Sequence, residues 1–167
     1  MKTMKSLGVY VPEEPKLGAG VLYLKCESGQ DWYDSQSEFM PDSMKIAFNQ
    51  AGVICCASVD ISMLWPINMS VAEIPKTDVP NGFYPDGSWF YDGSIIYQNK
   101  AIVVENERSE RNAFATEIIT PLQDAVDSGI STPDEEAKLL EWKKYRALLS
   151  RVDAGQDEIS WPDQPVV

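Results

Sequence analysis

The sequence predicts an α+β fold: a β-rich N-terminal domain of hairpins over residues 1–104, then an antiparallel two-helix hairpin and an extended tail within residues 105–167. Two observations carry this. Apolar residues recur with a period near 2 in the first part and near 3.6 beyond Glu105. The second part also holds a complete helix start signal, Thr132-Pro133-Asp134-Glu135.

In chain order, residues 20–27, GVLYLKCE, are dense in β-formers. Met44, Ile46 and Phe48 alternate, a loop follows at residues 49–52, and Val53, Cys55, Ala57 and Val59 resume the alternation. That pattern is a hairpin, with Gly52 free to take the left-handed position. The next stretch, residues 65–87, is rich in proline and reads as irregular around one short strand at residues 70–74. In SWFYDGSIIYQ, residues 88–98, Asp92-Gly93 between two apolar runs predicts a second hairpin with a two-residue type I′ turn. Alternation there puts Trp89 and Tyr91 on one face and Phe90 on the other.

Phe114, Ala115, Ile118, Ile119, Leu122, Ala125 and Val126 draw the apolar stripe of a helix that Gly129 caps. Pro121 lies inside it and predicts a kink or a short break at Thr120. After the loop SGIS, Thr132 is the N-cap, Pro133 occupies the first helical position and Glu135 completes a capping box. Leu139, Trp142, Tyr145, Leu149 and Val152 form the stripe that faces the first helix. Leu140 lies roughly opposite this line and Leu148 at its edge, so they are either contacts to the β domain, simple exposed leucines, or a second apolar face for another chain.

Composition excludes several classes. The 167 residues are 44% hydrophobic, enough for a real core, and carry a net charge of −12 spread along the chain, −5 before residue 105 and −7 after it. Such a charge disfavours nucleic acid and anionic membrane surfaces as partners. The sequence has no segment apolar enough to span a bilayer and no export signal, which predicts a cytoplasmic protein. Histidine is absent, so Ser-His-Asp and Cys-His triads are impossible, and neither GxSxG, SxxK, a phosphate-binding loop nor a complete dinucleotide loop occurs. Cys26, Cys55 and Cys56 lack disulfide or metal spacing and are expected to be buried, inert thiols. Adjacent carboxylates such as Glu13/Glu14 and Asp157/Glu158 read as solvated pairs. No cofactor, metal or catalytic residue is expected, and the chain reads as a non-enzyme.

The segment ITPLQDAVDSGISTPDEEAKLLEWKKYRALLSRVD, residues 119–153, with ISWPDQP at 159–165, resembles the C-terminal domain of the tail fibre assembly proteins of tailed bacteriophages and their prophages. GQDWYDSQSEF, MKIAFNQAGVI and GSWFYDGSII resemble one branch of the same family in the first half. The resemblance implies a chaperone in the cytoplasm of the bacterial host. Its variable N-terminal domain would bind the C-terminal tip of a trimeric tail fibre, and its helical C-terminal domain would serve oligomerisation. The first candidate for fibre contact is the hairpin carrying Trp89, Tyr91 and Tyr97, rings that serve equally well as its share of the core. Leu140, Leu148 and the Trp161-Pro162 tail are the candidate surface for assembly and self-association. The alternative is a structural or glycan-contacting component retained at the fibre tip of the virion.

Overall fold

The computed structural model describes residues 1–18, 20–156 and 158–166; Ala19, Val167 and Asp157, one half of the Asp157/Glu158 pair, lie outside the described residues. The architecture is α+β, with the strands in the first part of the chain and two long helices in the second. Two compact units divide at Asn99/Lys100.

In the first unit five strands form one antiparallel sheet: β1 (Thr3–Tyr10), β2 (Tyr23–Lys25), β3 (Met44–Phe48), β4 (Ile54–Ser58) and β5 (Met69–Ile74), in the order β2-β1-β5-β3-β4, with the one-turn helix α1 (Trp32–Ser35) between β2 and β3. The expected hairpin at 44–59 is present, with Gly52 at φ +85°. A Cβ there would also lie 2.8 Å from the Tyr91 carbonyl oxygen, so the position excludes side chains twice over. The plain alternation expected of Val53, Cys55, Ala57 and Val59 does not hold. Phe48 pairs with Ile54 and Ala47 with Cys56, which makes Cys55 the extra residue of a bulge and turns Ile54 inward. Cys55 is exposed and Cys56 half-buried, so only Cys26 of the three thiols is buried as expected.

The strand absent from the sequence reading is β1, which lies between β2 and β5. A bulge between Met4 and Leu7, with Ser6 at φ +52° donating its N–H to Ser70 Oγ, breaks the period-2 pattern. Met4 and Leu7, three apart, therefore enter the same cluster.

Both faces of the sheet are covered. On one, Met4, Leu7, Ala47 and Val71 pack with Leu24, Trp32, Phe39 and Leu64. On the other, Ile46, Ile54, Ala72 and Ile74 pack with Trp89, Tyr91 and Ile96. The first face also takes in a buried cross-strand pair, Lys45 and Glu73. The Glu73 carboxylate accepts from the N–H of Lys2 at 3.1 Å, the Ser43 hydroxyl at 2.8 Å and the Met40 N–H. The Lys45 ammonium donates to the carbonyls of Met40, Ser43 and Val59. Both ends of the 40–43 loop are thus stapled to the sheet, which satisfies two groups that would be costly to bury unpaired.

In the second unit, α2 (Lys100–Asp127) begins five residues before Glu105 and continues through Pro121 with no break at Thr120. Pro121 and Glu117 are exposed, so the carbonyl that proline leaves without its helical donor faces water rather than the core. The helix ends in a Schellman motif: Gly129 (φ +70°) donates to Val126 O and Ile130 to Ala125 O, both at 3.0 Å. α3 (Pro133–Leu149) starts at Thr132 with the full reciprocal capping box and Pro133 in its first turn. Ala115 and Ile119 of α2 meet Leu139, Trp142, Tyr145 and Leu149 of α3 in one cluster.

Candidate functional site

The second hairpin pairs β6 (Trp89–Tyr91) with β7 (Ile96–Gln98), Tyr91 opposite Ile96. The strands are joined through residues 92–95, across which the Asp92 N–H donates to Ile95 O at 3.4 Å, so Asp92-Gly93 are not the central pair of a type I′ turn. The Asp92 side chain accepts the N–H groups of Ser94 and Ile95, at 2.8 and 2.9 Å, and Gly93 takes φ +101°. These bonds to the Asp92 carboxylate depress its pKa, so the loop is closed by an ionised aspartate at neutral pH.

Alternation then divides the rings as expected, and the sheet decides which set is spent on the core. Trp89 and Tyr91 are 7% and 8% exposed. Trp89 meets the Phe83 ring edge-on at 5.4 Å, and Tyr91 meets Phe48 at 5.1 Å. Of the three candidate rings only Tyr97, at 42%, reaches the surface. It stacks on half-buried Phe90, with centroids 5.8 Å apart and planes 26° apart, and exposed Ile95 lies in the loop beside them. The outward face of the hairpin is thus Phe90, Ile95 and Tyr97. Phe90 and Ile95 were not among the candidates, although the alternation that places Phe90 opposite Trp89 is written in the sequence; which face turns outward is not.

This face is held rigidly. The Tyr91 N–H donates to Gly52 O at 2.8 Å, and Val53 bridges to Phe90. The hairpin is therefore docked on the β3–β4 turn, whose Asn49 side chain accepts from Ala51 and Val53.

A second group of rings runs along β2: Tyr10, Tyr23, Tyr33 and Trp65 contact one another in series at 5.8–6.3 Å. The Tyr10 hydroxyl donates to Asp31 at 2.8 Å, and that hydrogen bond pushes the phenol up to about 12. It stays a neutral donor at any working pH.

The helical unit distributes its candidates differently. Leu140 is 70% exposed and Leu148 37%, so both are free of the hairpin seam within the unit. Trp161 instead packs against the helical core, and the Arg111 guanidinium lies 4.6 Å above its ring. Pro162 and Pro165 line a groove beside Glu141, Lys144 and Leu148. Trp161 therefore pins the tail to the helices.

Among the described residues no group of three or more His, Cys, Asp or Glu side chains comes together as a metal site, and no helix is long and apolar enough to cross a membrane.

The sequence pattern described as "Caudovirales tail fibre assembly protein, lambda gpK" matches residues 34–166. The chain is 32% identical over 176 aligned positions to a probable tail fiber assembly protein of Escherichia phage P2, and equally to tail fiber assembly protein U of Escherichia phage Mu; each alignment covers 99% of this chain and 98% of the relative. A shorter match, 52% identical over 64 residues, links 38% of the chain to 33% of the tail fiber assembly protein of Escherichia phage lambda. The chain belongs to the tail fibre assembly protein family of tailed bacteriophages.

Proposed function

We propose that this protein acts in the host cytoplasm as a tail fibre assembly chaperone. Its unit Met1–Asn99 binds the C-terminal tip of a trimeric fibre, and its unit Lys100–Val167 serves self-association or assembly. The observation that carries the reading is the outward face of the β6–β7 hairpin. Phe90, Ile95 and Tyr97 present an apolar, aromatic patch on a hairpin whose other face, Trp89 and Tyr91, is locked into a sheet core. A rigid exposed ring offers contact area at little conformational cost, which is the pattern of an interface anchor. Family membership supplies the partner class, since the relatives are described as tail fibre assembly proteins.

The need for such a binder is physical. A trimeric β-rich fibre tip is built from non-local pairings, forms slowly, and is prone to aggregate while its strand edges are open. A protein that covers those surfaces until the three chains close suppresses wrong pairing. No step in this requires bond chemistry, so the function is binding and not catalysis.

The test is co-expression of the chain with its phage's tail fibre. Wild type should raise the yield of soluble trimeric fibre and co-purify with it. A Phe90→Ala/Tyr97→Ala variant that stays folded should lose co-purification. Unchanged capture of the fibre by that variant would contradict the placement.

A further inference from the structure

We propose that the outer edge of β4 is a strand-docking site that takes an extended, carboxylate-poor segment of the folding fibre chain as an added antiparallel strand; this rests on the fibre-binding reading above. The sheet ends in two edges, β2 and β4. They are treated differently. The β2 edge is covered: Lys25 bridges to Asp31, the Cys26 N–H donates to Gln30 O at 3.0 Å, and the Tyr33 hydroxyl donates to Leu22 O at 3.2 Å. On β4, β6 joins only at the entrance, through Val53 and Phe90. Among the described residues no strand pairs with Ile54–Ser58 from the outside.

Backbone donors and acceptors on an open edge template another strand, and edges are ordinarily guarded by charge, proline or distortion. Residues 53–59, VICCASV, contain neither a charge nor a proline. The bulge at Cys55 distorts the start, but Cys56, Ala57 and Ser58 then run in regular register with Ala47, Ile46 and Lys45. Three straight, unguarded residues remain.

The molecule also indicates the occupant. Where its own chain continues the sheet past β4, at Val53, it does so with an antiparallel extended strand. The unit Met1–Asn99 holds six lysines and no arginine against twelve carboxylates, a net −6, and exposed Asp60 lies two residues past the end of β4. The complementary strand is one bearing Lys or Arg and few acids. Main-chain pairing over so few residues binds weakly and lets go, as a temporary cap on a fibre edge must.

Amide hydrogen exchange on the full-length protein, with and without the purified C-terminal region of its phage's fibre, tests this. Exchange across residues 53–59 should slow on binding. Cys55→Lys, which adds a guarding charge at an exposed position, should weaken fibre binding about tenfold or more, while Cys55→Ser leaves it unchanged. Fibre binding that leaves exchange at 53–59 unaltered would overturn edge docking and leave the hairpin reading standing. Failure of the wild type to bind the fibre would overturn both. Slowing at 53–59 that grows with protein concentration in the absence of fibre would assign the edge to a second copy of this chain and reject the fibre strand as occupant.

Discussion

The helical unit and the β unit bury their cores by opposite routes. In Lys100–Val167 the core is two helices that are neighbours in sequence, with Trp142 packed against Phe114 of the preceding helix and Tyr145 of its own. In Met1–Asn99 the sheet places β1 beside β5, so Thr3 pairs with Ala72. The difference shows in what each unit leaves outside. A two-helix hairpin has too few layers to cover every apolar side chain, and Leu140 stays at the surface. The sheet is covered on both faces, so its free apolar surface lies on an added hairpin and along an edge.

The largest expected effects come from the central ring of each unit. Trp142→Ala and Trp32→Ala each remove a ring with no measurable exposure, and each should cost about 3–5 kcal/mol. Thermal unfolding followed by far-ultraviolet circular dichroism should show loss of helix first in the former and of strand first in the latter. Identical loss of both signals in both variants would break the two-unit comparison.

The same contrast decides what could be read from the sequence. Capping box, Schellman glycine and apolar stripe are local signals, and α3 and the end of α2 follow them residue by residue. The 44–59 hairpin was legible for the same reason. β1 was not, because the bulge at Ser6 hides its alternation and its partner β5 is some seventy residues away. The Lys45/Glu73 staple was invisible because its partners come from residues 2, 40, 43 and 59. At the hairpin, the sequence divided Trp89 and Tyr91 from Phe90, but only the sheet beneath determines that the first pair is core. At Pro121 the short break does not occur, because proline's lost hydrogen bond matters less on a wet helix face.

Smaller effects are expected at single turn and cap positions. Gly52→Val forces a side chain into a left-handed position against the Tyr91 carbonyl, and should cost about 1–3 kcal/mol by denaturant unfolding. The change should also loosen the β6–β7 hairpin, seen as faster amide exchange at Tyr91. Thr132→Ala removes the N-cap acceptor of Glu135 N–H and should cost about 1 kcal/mol, confined to the helical unit.

A pH titration probes the buried carboxylate of the β unit. Burial raises the Glu73 carboxyl, but the hydrogen bonds from Met40, Ser43 and Lys2 outweigh it and leave the pKa below the ordinary glutamate value. A depressed folded pKa stabilises the fold fully above the unfolded value of about 4.3, and that contribution is lost as pH falls through the folded value. Glu73→Gln should therefore lower β-unit stability at neutral pH and flatten its decline below about pH 4. An equally steep acid decline in Glu73→Gln would remove this carboxylate as the cause.

On the function proposed above, fibre recognition and assembly reside on separate surfaces, the outward β6–β7 face and the outward α3 face. The most direct measurement compares full-length Phe90→Ala/Tyr97→Ala with full-length Leu140→Asp for fibre-tip affinity and for the chain's own oligomeric state. The hairpin variant should lose affinity at least tenfold and keep the wild-type oligomeric state. Leu140→Asp should keep the affinity and stability within about 0.5 kcal/mol, while losing self-association or the yield of trimeric fibre. Loss of fibre affinity in Leu140→Asp with none in the hairpin variant would contradict the account.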